Sequence, residues 1–149
     1  MALALQEAKL GVTNGDGGPF GAVIVKDNKV IASGHNEVLK NSDPTAHAEM
    51  VVIRKASALL KTFHLTGCTL YVTGEPCPMC FSAIHWAHLK AVVYATTKEE
   101  AAEVGFDDML ITEIIQGTAT DTISFIHEPQ DACSHFVKSW STLPTKTVY

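Results

Sequence analysis

Arginine is nearly absent from this chain of 149 residues: Arg54 is the single example, and 11 basic residues face 16 acidic ones, a net charge of −5. Nucleic-acid surfaces are built from clustered Lys and Arg, and beyond residue 100 only Lys138 and Lys146 are basic. No nucleic-acid partner is expected. Long apolar runs are missing too, so nothing reaches the roughly 18 residues of a spanning helix, and no membrane partner is expected. The first ten residues are apolar but include Gln6, Glu7 and Lys9 and lack a basic leader. They read as a helix of the fold, not a signal peptide. Repeats, low-complexity blocks and long linkers are also missing, and a single domain over residues 1–149 is expected. A hydrophobic content of 46% excludes a disordered chain. There are four cysteines, and without an export signal a cytoplasmic protein with free thiols is expected. Cys68 and Cys133 read as buried small hydrophobes.

Two short motifs carry the chemistry. Asp43-Pro44-Thr45-Ala46-His47-Ala48-Glu49 offers an imidazole and, two residues on, a carboxylate, while Glu75-Pro76-Cys77-Pro78-Met79-Cys80 offers two thiols. His47, Cys77 and Cys80 form a ligand set suited to zinc and one short of a closed tetrahedron. Structural zinc sites are closed by four protein ligands, whereas catalytic sites keep a position for water. Glu49 is poorly spaced to share the metal with His47 and well placed to serve its water as a base. A lone Cys-x-x-Cys reads equally as a redox pair, a zinc half-site or two core thiols. Both motifs in this order, each beside a proline and at a helix start, are far more specific. The combination resembles the zinc-dependent nucleobase deaminases.

The rest of the pattern predicts an alternating α/β chain. Residues 1–14 read as a helix and 15–19 as a glycine-rich turn. Strands are expected at 20–26 and 29–35, joined by an Asp27-Asn28 hairpin. A polar loop over 36–43 precedes a helix starting at Pro44, with Asp43 as a possible cap. Further strands are expected at 68–73, 91–95 and 123–127, and helices after Pro76, at 98–104, 108–116 and 131–140. Strand–helix alternation implies parallel neighbours joined by crossovers. Helix starts favour negative charge, so thiolates there form more readily.

Beyond the metal motif, Gly17-Gly18-Pro19-Phe20-Gly21 with the strand after it, and Gly105-Phe106-Asp107-Asp108, resemble one branch of the cytidine and deoxycytidylate deaminase superfamily. That branch holds the bacterial guanine deaminases and plant guanosine deaminases, and the likeness covers about residues 14–110. The resemblance implies a three-layer α/β/α fold with a mixed five-stranded sheet, a homodimer and one Zn2+. It also implies hydrolytic deamination of guanine, with guanosine as the alternative substrate. Transfer RNA adenosine deaminases share the zinc motif but lack the Gly-Phe-Asp-Asp segment and usually carry a basic C-terminal helix.

The resemblance also implies roles. Glu49 would take a proton from the metal-held water and later deliver one to departing ammonia; otherwise it is a solvent-facing helix-start charge. Asn36 would bind the purine edge, or be an ordinary loop asparagine. Asp108 would accept a ring N–H that guanine has and adenine lacks, or cap a helix. Phe20 and Trp86 would form aromatic walls, or be plain core. Ala48 offers a backbone N–H beside the metal. Tyr149 ends residues 141–149, a tail that would close a partner subunit's site or simply fray. His85 and His88 are spaced for a second metal but have no carboxylate alongside. The rival readings are a zinc-stabilised scaffold without catalysis, a cytosine deaminase, and a thiol–disulfide oxidoreductase built on Cys77 and Cys80.

Overall fold

The computed structural model describes residues 1–148. In chain order the elements are α1 (Ala2–Asn14), β1 (Gly21–Lys26), β2 (Lys29–His35), α2 (Val38–Asn41), α3 (Ala48–Leu60), β3 (Thr69–Gly74), α4 (Pro78–Trp86), β4 (Ala91–Thr96), α5 (Lys98–Glu103), α6 (Met109–Gln116) and α7 (Asp131–Trp140). Helix α1 stops at Gly15, whose φ of 72° lets its N–H turn back to the Gly11 and Val12 carbonyls. The β1–β2 hairpin turns through Asp27 (φ 47°) and Asn28 (φ 60°), the two positive-φ positions of a tight hairpin turn.

The sheet runs in the order β2-β1-β3-β4. β1 is antiparallel to both β2 and β3, and β3 is parallel to β4. The expected parallel neighbours therefore hold for β3 and β4 alone, joined by α4. β2 and β3 point the same way, but β1 inserts between them. The sheet is mixed, as expected, but has four strands among the described residues and not five. Residues 123–127 form no strand: Ile123 N–H turns onto Asp121 Oδ1, and Phe125 and Ile126 are left exposed.

Strand alternation sends successive side chains to opposite faces. Gly21 lies against α1, where its missing Cβ makes room for the Ala4 carbonyl, while Gly34 lies against Val51 and Val52 of α3. Helices thus cover both faces. Ala22, Ile24, Leu70 and Val72 form a closed core with Val52, Ala56, Leu65 and Ile84. Each buried Val, Leu or Ile here contributes roughly 1.5–3 kcal/mol by leaving water. α3 and α4 pack on this core through Val52, Ala56 and Ile84, and the site is built on the starts of those two helices. Cys68 is buried, as expected, whereas Cys133 is exposed on α7.

Candidate active site

Helix α3 begins at Ala48, four residues later than expected. Asp43 is the reason: its Oδ1 accepts from the Thr45 N–H at 2.8 Å and from the Thr45 hydroxyl at 2.7 Å, turning Pro44 and Thr45 out of helical geometry. The expected loop over 36–43 likewise holds a single helical turn, α2, whose Val38 N–H donates to Asn36 Oδ1 at 3.1 Å. The chain therefore reaches His47 extended, and His47 occupies the N-cap position of α3 (φ −63°, ψ 155°). Cys77 occupies the same position on α4 (φ −67°, ψ 168°), with Pro78 opening the helix and Cys80 in its first turn. Both proline-flanked motifs become helix starts, and α3 and α4 pack side by side.

The three ligand atoms converge. His47 Nδ1 stands 3.5 Å from Cys77 Sγ and 3.6 Å from Cys80 Sγ. Tetrahedral zinc with Zn–S of about 2.3 Å and Zn–N of about 2.05 Å has an N···S edge of about 3.6 Å. The donor set and its spacing fit zinc with one position left over. Among the described residues no other group of His, Cys, Asp and Glu converges in this way. His85 and His88 lie elsewhere, on an outer groove.

The local electrostatics suit a cation. The Cys77 thiol is held down to about 4, first by the hydrogen bond it accepts from Cys80 and also by His47, against the effect of burial. Cys80, which donates that bond and is buried, is pushed up. The hydrogen bond to Cys77 also raises His47. Glu49 lies in the first turn of α3, only 5% exposed, and burial pushes its carboxyl up. A carboxyl raised in this way can hold a proton and release it again.

A cleft of about 720 Å³ opens above this triangle. Gly17, Gly18 and Phe20 line one part, and Asn36 lies beside them, 5% exposed, with its N–H donating to the Phe20 carbonyl at 2.9 Å. Its Oδ1 holds Val38, while its amide nitrogen donates to no group among the described residues. Asp108 also lines the cleft; burial raises its carboxyl, and Lys98 Nζ at 3.8 Å from Oδ2 lowers it. Asp108 occupies the N-cap position of α6, but its side chain makes no capping bond; Asp107 Oδ1 accepts the Met109 N–H at 2.8 Å. Ala48 is the first residue of α3 and fully buried, with an N–H that has no partner within its helix.

Trp86 does not line the cleft. It closes α4 and is 64% exposed in an outer groove with Phe81 and Ser82. Eight residues of helix separate it from Pro78, about 12 Å at 1.5 Å per residue. Phe106 supplies the second wall, edge-on to Phe20 with ring centroids 5.0 Å apart and planes at 87°. Its place beside Asp107-Asp108 was the available signal. Lys98 had none in the sequence. Tyr149 lies outside the described residues.

The family model of the cytidine and deoxycytidylate deaminase zinc-binding region matches residues 1–96. The chain belongs to that family. Its deaminase chemistry and its zinc therefore rest on residues already in place: His47, Cys77 and Cys80 are the group placed to hold the ion. The chain is 47% identical over 140 residues to the guanine deaminase of Bacillus subtilis, covering 93% of this chain and 90% of the relative. The X-ray structure of guanine deaminase from that organism superposes with a TM-score of 0.93 at 46% identity, over 98% of this chain and 94% of that one. A tRNA-specific adenosine deaminase of Agrobacterium fabrum is 37% identical over 132 residues, 89% of this chain and 86% of the relative.

Proposed function

We propose that this chain hydrolyses guanine to xanthine and ammonia. The observation that carries the reading is the buried Glu49 carboxyl beside the His47–Cys77–Cys80 triangle, in one cleft with Asp108. Similarity to the guanine deaminase of Bacillus subtilis along nearly the whole chain supports the same substrate. A single arginine and a net charge of −5 weigh against a tRNA substrate.

Zinc held by His47, Cys77 and Cys80 would supply a water acidified toward neutrality and so activated to add to the purine carbon that bears the exocyclic amine. Glu49 accepts a proton from that water and passes it to the purine ring nitrogen beside the carbon under attack. Glu49 then relays the second proton to the amine, which leaves as ammonia. One carboxylate acts as base and then as acid. Asp108 accepts the N–H between the two substituted ring carbons, a proton that adenine lacks. Asn36 offers its amide N–H₂ to the purine edge, and the Ala48 N–H at the start of α3 is assigned to the reacting end. Phe20 and Phe106 flank the flat base, which gains from aromatic contact.

The working unit is a homodimer of one-domain subunits, and residues 141–149, ending at Tyr149, form a strap over the partner's cleft. In the isolated chain Ile115, Phe125, Ile126, Phe136 and Val137 are all at least two-thirds exposed. Exposed apolar side chains of this number support a covering partner subunit. Cys68 and Cys133, which form no disulfide, support a reducing compartment, the cytoplasm.

The test is ammonia release by the zinc-loaded protein from guanine, guanosine, adenosine, cytosine and cytidine. Guanine should be the preferred substrate, with xanthine formed in equal amount. Turnover of guanosine or adenosine without turnover of guanine would replace this reading.

A further inference from the structure

His35 ends β2 with its side chain buried between two carboxylates. Its Nδ1 lies 3.2 Å from Glu7 Oε2 on α1, and its Nε2 lies 2.8 Å from Asp16 Oδ2 in the loop after α1. Carboxylates only accept, so both contacts are hydrogen bonds only when both ring nitrogens carry hydrogen. Lys40 Nζ stands 3.7 Å from the same Asp16 oxygen, and the Ser33 hydroxyl donates to Glu7. The fold makes space for this arrangement: a Cβ at Gly11 would fall 2.7 Å from His35 Cδ2.

The neighbours of these residues are the cleft itself. After His35 comes Asn36, and after Asp16 come Gly17 and Gly18, all lining it. Gly17 is pressed on Asn36, and Gly18 on Phe106. A wall of two glycines has no side chains to hold its place, and its backbone is unusually free. Asp16 anchors it at one end: its carbonyl accepts from the Leu39 and Lys40 N–H groups, both at 3.0 Å, and its carboxylate is held by His35. Charge-assisted hydrogen bonds of this kind are stronger than neutral ones.

We propose that His35 is a positioning residue that clamps the Asp16–Gly17–Gly18 wall against Asn36 and so sets the affinity of the cleft for its purine. It touches no substrate and acts through Asp16. The proposal rests on the function proposed above for this cleft, and the experiment separates the two.

Zinc-loaded full-length variants Asp16→Ala, His35→Leu, the double variant and Asp16→Asn are compared with the wild type. One readout is amide hydrogen exchange over residues 16–20, which needs no turnover. The other is the split of KM and kcat. Faster exchange there in Asp16→Ala and His35→Leu, with α3 and α4 unchanged, is expected. KM for guanine should rise at least tenfold in both, with kcat per zinc within about threefold. The double variant should be no worse than His35→Leu, since both break one clamp. Asp16→Asn keeps an acceptor oxygen and should recover most of the affinity. Unchanged exchange and KM, or a loss of kcat alone, overturns the clamp. Should His35→Leu fail to fold, Asp16→Ala decides by the same criteria. A wild type that leaves guanine untouched overturns the assigned substrate, and the exchange readout then decides the clamp.

Discussion

Gly17 lies so close to Asn36 that a Cβ on the glycine would fall 2.1 Å from Asn36 Oδ1 and 2.6 Å from its backbone carbonyl oxygen. The second atom is main chain and cannot swing aside. Gly17→Ala must therefore move the loop or the asparagine, and both belong to the cleft wall. KM for guanine is expected to rise about tenfold, the equivalent of about 1.4 kcal/mol in binding, with zinc content unchanged. Steady-state kinetics with metal analysis check this; a normal KM would show that Asn36 does not bind the base.

Cys80→Ala removes a fully buried ligand in the first turn of α4. His47 and Cys77 alone form an incomplete site, so the purified variant should hold far less than one zinc per chain. Metal binding free energy is also folding free energy, and its thermal midpoint should drop below that of the zinc-loaded wild type. Elemental analysis and a melting curve measure both, and full zinc retention removes the proposed site.

Glu49→Gln keeps the shape of a buried side chain and takes away its proton-accepting oxygen. Zinc content and fold should persist. The loss of a general acid–base group typically costs about 10²–10⁴-fold, and kcat should fall by that order. A zinc-replete variant with near-normal turnover assigns the proton transfer to another group.

Asp108→Asn tests selection of the purine. The amide can present an N–H₂ where guanine offers its own N–H, leaving two donors facing each other. A buried unpaired donor costs about 1–3 kcal/mol. kcat/KM for guanine should fall roughly 5- to 150-fold by the same scale, with zinc retained. An unchanged value makes Asp108 a partner of Lys98 and nothing more.

How much of this was legible in the sequence follows from which contacts are local. The metal ligands sit at helix starts because proline and spacing act within a few residues, and His47, Cys77 and Cys80 fell where expected. The start of α3 was missed by four residues because Asp43 folds onto Thr45 and not onto a helix. Residues 123–127 hold the β-branched and aromatic types of a strand (Ile123, Phe125, Ile126), but a strand needs a neighbour to bond with, and none of that is written locally. Trp86 was misplaced because its sequence neighbours do not fix how far along α4 the cleft extends. The pairing of His35 with Glu7, 28 residues earlier, was invisible for the same reason.

The last prediction concerns residues 141–149. The described part, 141–148, is exposed in the isolated chain, with Val148 at 74%. A strap that closes a site excludes bulk water once the base has entered, which strengthens every polar contact inside. Deleting residues 141–149 should leave zinc and the core fold intact, since none of the buried core comes from that segment. Catalytic efficiency on guanine should fall at least tenfold, or about 1.4 kcal/mol. A mixed dimer decides whose cleft is closed. The truncated chain keeps Glu49 and lacks the strap, while full-length Glu49→Gln keeps the strap and lacks the proton shuttle. If the strap crosses to its partner, mixing the two restores activity at the truncated chain's site. If it folds back on its own cleft, the mixture stays as inactive as its parts. Unchanged kinetics in the truncation alone would mean the terminus closes nothing.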